Sequence, residues 1–199
     1  MIEVELHDGV LVWRAPVPVR VASTSVLGGG IGERGWFLNA SVHKDYAALD
    51  PAADLAELAA SLGLEGPGVG MMTAKDVRDA VTAHDRGVDV VATVGLGWPT
   101  WAAAADDAHA VRPGTINLLI VVPVALTDAA LVNAVATATE AKVQALAEAG
   151  VDGTGTASDA VCVAAAIDGH AEPYGGPRSA WGARIARAVH RAVLDGTRS

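Results

Sequence analysis

Four side chains between Gly114 and Val163 have the types that carry acid–base and nucleophilic chemistry: the hydroxyl of Thr115, the carboxylates of Glu140 and Asp159, and the amine of Lys142. A hydroxyl attacks a carbonyl only when a neighbouring group takes its proton, and a carboxylate or amine does that. Alternatively, Glu140 or Asp159 activates a water directly. Thr156 and Ser158 add hydroxyls beside Asp159. Each also has an ordinary structural role open to it, since threonine often caps a turn and charged residues often solvate a helix face.

These residues need elements to carry them. Pro113-Gly114 bends the chain into Ile116 to Val122, a β-branched and leucine run that predicts a buried strand closed by Pro123. Thr127 or Asp128 caps a following helix, in which Val132, Val135, Thr139, Val143 and Leu146 keep helical spacing until Gly150 ends it. Glu140 and Lys142 are two positions apart and point to different sides of that helix. Ala160 to Ala166 predicts a second buried strand, with Thr156, Ser158 and Asp159 in the turn before it.

Composition sets the limits. The 199 residues, 51% hydrophobic, are enough for one sizeable core, so a single domain over 1–199 is expected. A formal net charge of -9 argues against nucleic acid and anionic membrane as partners and for a small neutral or cationic one. Association into homo-oligomers is left open. Cys162, the one cysteine, lies in an apolar run and reads as an inert core residue. His7, His43, His84, His109, His170 and His190 are scattered singly without paired metal-ligand spacing, so no metal site and no cofactor are expected. The N-terminal residues lack the basic head and apolar run of a secretion signal, and the greasiest stretch, Ile116 to Leu126, is far short of the ~20 residues that span a bilayer. A cytoplasmic location is expected.

The first half supplies further strands. Asp8-Gly9 between apolar arms predicts an N-terminal hairpin with Trp13 on its second arm. Pro18 to Val26 is a strand candidate that runs into a glycine loop, Gly28-Gly29-Gly30, whose N–H groups can approach a ligand closely. Trp36 to Val42 predicts a strand, Pro51 to about Leu62 a helix with Asp50 before it, and Val69 to Thr73 a short strand. Thr73 and Asp76 form a helix-start pattern resembling a capping box. Val88 to Val94 is a clear strand, and Ser179 to Leu194 a closing helix. Strands and helices in this mixed order predict an α+β fold, a layered sandwich of mixed and antiparallel sheet with packed helices in αββα order.

Taken in order, several segments together resemble the adenosylcobinamide amidohydrolase family. They are Leu27-Gly28-Gly29-Gly30, Asn39 with Asp45-Tyr46 and Asp50-Pro51, Gly70-Met71-Met72-Thr73-Ala74, and Val94-Gly95-Leu96-Gly97 with Pro99. Gly114-Thr115-Ile116-Asn117, Thr139-Glu140-Ala141-Lys142, Gly155-Thr156 with Asp159-Ala160, and Tyr174 with Gly176 and Gly182 follow. Trp98 and Pro177-Arg178-Ser179 depart from the family's pattern at what the resemblance implies is the substrate rim.

The resemblance implies hydrolysis of the amide that joins a corrin propionyl side chain to 1-amino-2-propanol, giving adenosylcobyric acid for corrinoid salvage. The corrinoid is then substrate, not cofactor. Gly28, Gly29, Gly30, Thr73, Trp98, Asn117 and Thr156 are the expected substrate contacts, and tryptophan suits a broad apolar ring fringed by amides. Trp101 and Trp181 are further candidates for that role. More distantly, the region around Gly114-Thr115 is similar to the nucleophile region of self-cleaving aminopeptidases and ornithine acetyltransferases, which implies Thr115 as nucleophile, with Asn117 or the backbone N–H groups of a glycine loop holding the oxyanion. In an uncut chain its base must come from Lys142, Glu140, Asp159 or His109. The alternatives are a different amide hydrolase or acyltransferase with a threonine nucleophile, and a non-catalytic corrinoid-binding module.

Overall fold

Two prolines in one strand, Pro16 and Pro18, bend the sheet that organises the molecule. The computed structural model describes residues 2–105 and 114–199. Asp8 and Gly9 both take positive φ (22° and 79°), the hairpin conformation, and join β1 (Glu5–His7) to β2 (Val10–Ser23). β2 pairs with β3 (Gly30–Ser41) throughout, but its register shifts between Arg14 and Val19. Proline cannot donate to a ladder, and a bulge at that point bends and twists the strand. The two separate strand predictions, ending near Trp13 and starting at Pro18, are therefore halves of one bulged strand.

β4 (Gly68–Thr73), β5 (Val81–Asp85), β6 (Val88–Val94), β7 (Ile116–Ala125) and β8 (Ala160–Ala166) complete one mixed sheet in the order β4-β3-β2-β8-β7-β6-β5. Pairing is antiparallel except for β3–β4 and β7–β8. β7 runs past Pro123, where its register with β8 shifts after Val122. Between β4 and β5 the expected helix start is only a 3-10 turn, Val77–Asp79, capped by Asp76 rather than by Thr73. Thr73 Oγ1 instead accepts from the Lys75 N–H.

The sheet doubles back on itself. Leu11, Trp13, Phe37, Val69 and Met71 from one wing share a core with Val91, Leu119, Cys162 and Ala164 from the other. α1 (Pro51–Ser61) covers the outside of the first wing through Leu55 and Ala59, which pack with Val10, Val12, Trp36 and Leu38. α2 (Asp128–Glu148) and α3 (Ala180–Gly196) cover the outside of the second, over Val90, Ile116, Leu118, Ile120 and Val163. The layers run helix, strands, strands, helices, and the α+β sandwich is the architecture of the chain, with its two strand layers joined as one sheet.

The helix ends follow the sequence closely. Asp50, Thr127 and Ser179 each accept from a first-turn N–H. The buried face of α2 differs from the expected stripe, however. It consists of Ala130, Leu131, Ala134, Thr137, Ala138, Ala141, Lys142, Ala145 and Leu146, while Val132 and Thr139 are exposed. Small side chains let α2 lie close against both the sheet and α3, a constraint that overrides hydrophobicity alone. Among the described residues no helix is long and apolar enough to cross a membrane.

Candidate functional site

Between the two wings, where β4 ends and β7 and β8 begin, a cavity of about 500 Å³ opens to the surface. Met71, Met72 and Thr73 form one wall, Thr115 and Asn117 another, and Ser158 and Asp159 a third. The segment after β3 supplies the mouth through His43, Lys44 and Tyr46. Side chains alternate along a strand, so the odd positions Thr115, Asn117 and Leu119 face the interlayer space while Ile116, Leu118 and Ile120 face the helices.

Thr115 is 7% exposed, and its hydroxyl lies 2.8 Å from that of Ser158. Ser158 in turn donates to the Gly114 carbonyl at 3.2 Å. With its single proton committed there, Ser158 accepts from Thr115. One serine thus bridges the threonine hydroxyl and the carbonyl oxygen of the peptide bond just before it.

Asp159 is held by four donors. Its Oδ1 accepts from the Ile116 N–H (2.8 Å) and Thr156 Oγ1 (2.5 Å), and its Oδ2 from the Thr156 N–H (3.1 Å) and Lys142 Nζ (2.5 Å). A carboxylate so occupied clamps the entrances of β7 and β8 together and has no free lone pair directed at a substrate proton. The Lys142 and Asp159 side chains are 8% and 11% exposed, so each charge has the partner that burial demands. Lys142 reaches Asp159 from the alanine face of α2, where the neighbouring side chains leave its stem room. Gly155 makes the same space from the other side: a Cβ there would run into both Asp159 Oδ2 and Lys142 Nζ. Glu140 lies on the exposed face of α2 and does not line the cavity.

Asn117 is 2% exposed and bound on its amide side. Its Nδ2 donates to Asn39 Oδ1 and to the Met72 carbonyl, both at 2.9 Å, and Asn39 Nδ2 donates to Thr93 Oγ1 at 3.0 Å. These bonds tie the two wings together at the cavity. They also commit both N–H groups of Asn117, so it has no donor left for an oxyanion.

The other expected contacts fall in different places. Thr73 lines the cavity and Thr156 stands behind it on Asp159. Gly28, Gly29 and Gly30 do not line it. The Gly28 carbonyl accepts from Arg34 Nε and Nη2 at 3.2 and 2.9 Å, and a Cβ on Gly28 would run into the Gly68 carbonyl, so this loop serves backbone packing. Thr24 and Val26, just before the loop, line the cavity instead. Trp98 is 38% exposed and outside the lining. Trp101 donates to Asp152 Oδ1, and Trp181 packs on the α2–α3 core with Arg184 stacked 4.2 Å from its ring centroid. His109 lies outside the described residues.

The apolar rim expected from tryptophans comes instead from Val26, Tyr46, Pro51 and Met72, with Met71 buried behind them in the wall. Tyr46 donates to Asp54 Oδ2 at 2.6 Å, and desolvation together with that carboxylate pushes its phenol up to about 12. Ser158 and Tyr46 carried only turn and motif signals in the sequence. Burial pushes the Cys162 thiol up to about 12, which suits a core residue. Among the described residues no three His, Cys, Asp or Glu side chains gather as a metal group.

The chain matches the family model described as adenosylcobinamide amidohydrolase over residues 2–199. It is 36% identical to the adenosylcobinamide amidohydrolase of Halobacterium salinarum, over 97% of this chain and 86% of that protein. It is 28% identical to the protein of the same name from Methanosarcina mazei, over 88% of each chain.

Proposed function

The chain belongs to the adenosylcobinamide amidohydrolase family, and we infer from this that it hydrolyses the aminopropanol amide of adenosylcobinamide, with Thr115 as the nucleophile. The products are adenosylcobyric acid and 1-amino-2-propanol. One observation carries the assignment of the nucleophile: Ser158 bridges the Thr115 hydroxyl and the Gly114 carbonyl oxygen at the cavity wall. Such a donor would stabilise the oxyanion formed when Thr115 Oγ1 adds to a carbonyl placed there.

The first carbonyl in that position is the chain's own. As Thr115 Oγ1 adds to the Gly114 carbonyl carbon its proton passes to Ser158, which gives its own to the carbonyl oxygen; collapse breaks the C–N bond with that proton moving to the departing nitrogen, leaving an ester on Oγ1 and a free Thr115 α-amine. Water then hydrolyses the ester. The freed amine then serves as the base: of the described candidates that the sequence offered, Asp159 is occupied by four donors, Lys142 is paired with it and Glu140 faces solvent.

For the substrate, the α-amine takes the Thr115 hydroxyl proton as Oγ1 attacks the amide carbonyl. Ser158 donates to the oxyanion, and the ammonium returns its proton to the departing 1-amino-2-propanol nitrogen. Water hydrolyses the resulting acyl ester to the carboxylate. Lys142, Asp159 and Thr156 position the strand entrances, and Tyr46, Val26, Pro51 and Met72 offer an apolar rim to the corrin. The test is product formation from adenosylcobinamide. Thr115→Ala is expected to lower turnover by at least about a thousand-fold, Thr115→Ser to retain it, and Ser158→Ala to lower it by about a hundred-fold. Full activity in Thr115→Ala removes the nucleophile from this reading.

A further inference from the structure

Asn117 Oδ1 is buried and accepts no hydrogen bond among the described residues. Its orientation is fixed: Met72 offers a backbone carbonyl, which can only accept, so the side of Asn117 facing it at 2.9 Å must be the NH₂ group. Reversing the amide would set its oxygen against that carbonyl. Asn39, itself anchored on Thr93, holds the same NH₂ group from a second direction. Asn117 lines the cavity, so the cavity wall holds an acceptor of fixed orientation, covered from solvent, that has no donor among the described residues, and buried acceptors in folded proteins are nearly always satisfied.

The donor is best sought in the occupant of the cavity. Thr115 and Asn117 are two residues apart on the same strand face, which places their Cα atoms about 7 Å apart. A carbonyl carbon resting on the Thr115 hydroxyl has its amide nitrogen one bond away, on the side where Asn117 can meet the N–H. An ester at the same place would present an oxygen to an oxygen.

We propose that Asn117 Oδ1 accepts the N–H of the scissile amide and so makes the site selective for amides over esters of the same acid. This rests on the proposed reaction, and deepens it from a substrate name to the group that is read. The geometry gives Asn117 a selecting role through an acceptor, the opposite of an oxyanion donor.

The experiment uses the full wild-type chain, in which the Gly114–Thr115 bond is free to be cut, and reads the first complex by rapid mixing before bound substrate is consumed. The dissociation constant of that complex is measured for adenosylcobinamide beside its oxygen analogue, in which the bridging N–H is replaced by an ester oxygen. The amide is expected to bind at least about ten-fold more tightly, the scale of a buried acceptor losing its partner. Adding Asn117→Leu is expected to bring the two affinities together. Equal affinities in the protein that keeps Asn117 overturn the proposal, and that comparison stands even if the leucine variant does not fold. Failure to bind either corrinoid takes down the substrate reading as well, which distinguishes that outcome.

Discussion

Lys142 and Glu140 sit two residues apart on one helix and have opposite fates, which makes them a paired test at the level of single side chains. Lys142→Met leaves the Asp159 carboxylate buried without its cation, and such a break costs about 3 kcal/mol. Urea denaturation of Lys142→Met should show that loss together with reduced turnover, because Asp159 holds the ends of both β7 and β8. Glu140→Gln should change stability by less than about 0.5 kcal/mol and leave turnover within two-fold. The two-residue spacing was enough to separate the pair, but not to tell which of them is buried. That depended on which side of α2 meets the sheet, and the larger side chains on the opposite side carried the stronger hydrophobic signal. Asp159 was legible as a carboxylate in a turn. Two of its four donors belong to Thr156 in the same turn, but the other two, on Ile116 and Lys142, lie 43 and 17 residues away, and no local pattern announces those.

Among the elements, α2 is the most informative case. Its ends were legible because capping is local: Thr127 and Gly150 mark them in the sequence as they do in the structure. The inward face was not, because alanine is chosen there for closeness rather than for greasiness. Ala138 is fully buried between the sheet and α3. Ala138→Leu adds volume where there is none to give, and is expected to destabilise by about 1–3 kcal/mol, read as a lower denaturation midpoint. The opposite change at the exposed Val132, Val132→Ala, should be close to neutral. The strands were legible for the complementary reason, since β-branched runs such as Val88–Val94 and Ile116–Ala125 announce themselves without any knowledge of their partners. What stayed hidden was β2, whose prolines resemble a strand end when they mark a bend, together with β5 and the first half of β3, where the glycines from Gly30 read as loop.

For the molecule as a whole, the folded-over sheet places Cys162 between the wings at 1% exposure, with its thiol pushed up to about 12 by burial. A pKa that high leaves the thiol neutral at pH 8, and the thiolate is the reactive form. A disulfide-exchange reagent should therefore label it negligibly in the native protein and within minutes in denaturant. The labelling rate then reports opening of the entire interlayer core. Which residues join the wings was not legible, because that depends on contacts such as Asn39 with Thr93 between non-adjacent strands. The strand order has another outcome. β7 and β8, which follow Gly114, are inserted between β2 and β6, which precede it, and α3 packs over β6. If the Gly114–Thr115 bond is cut, the two fragments remain interleaved in one sheet and neither has a core of its own. Denaturing mass spectrometry should then find two polypeptides in the active protein where gel filtration under native conditions finds one particle: an intertwined heterodimer encoded as a single chain.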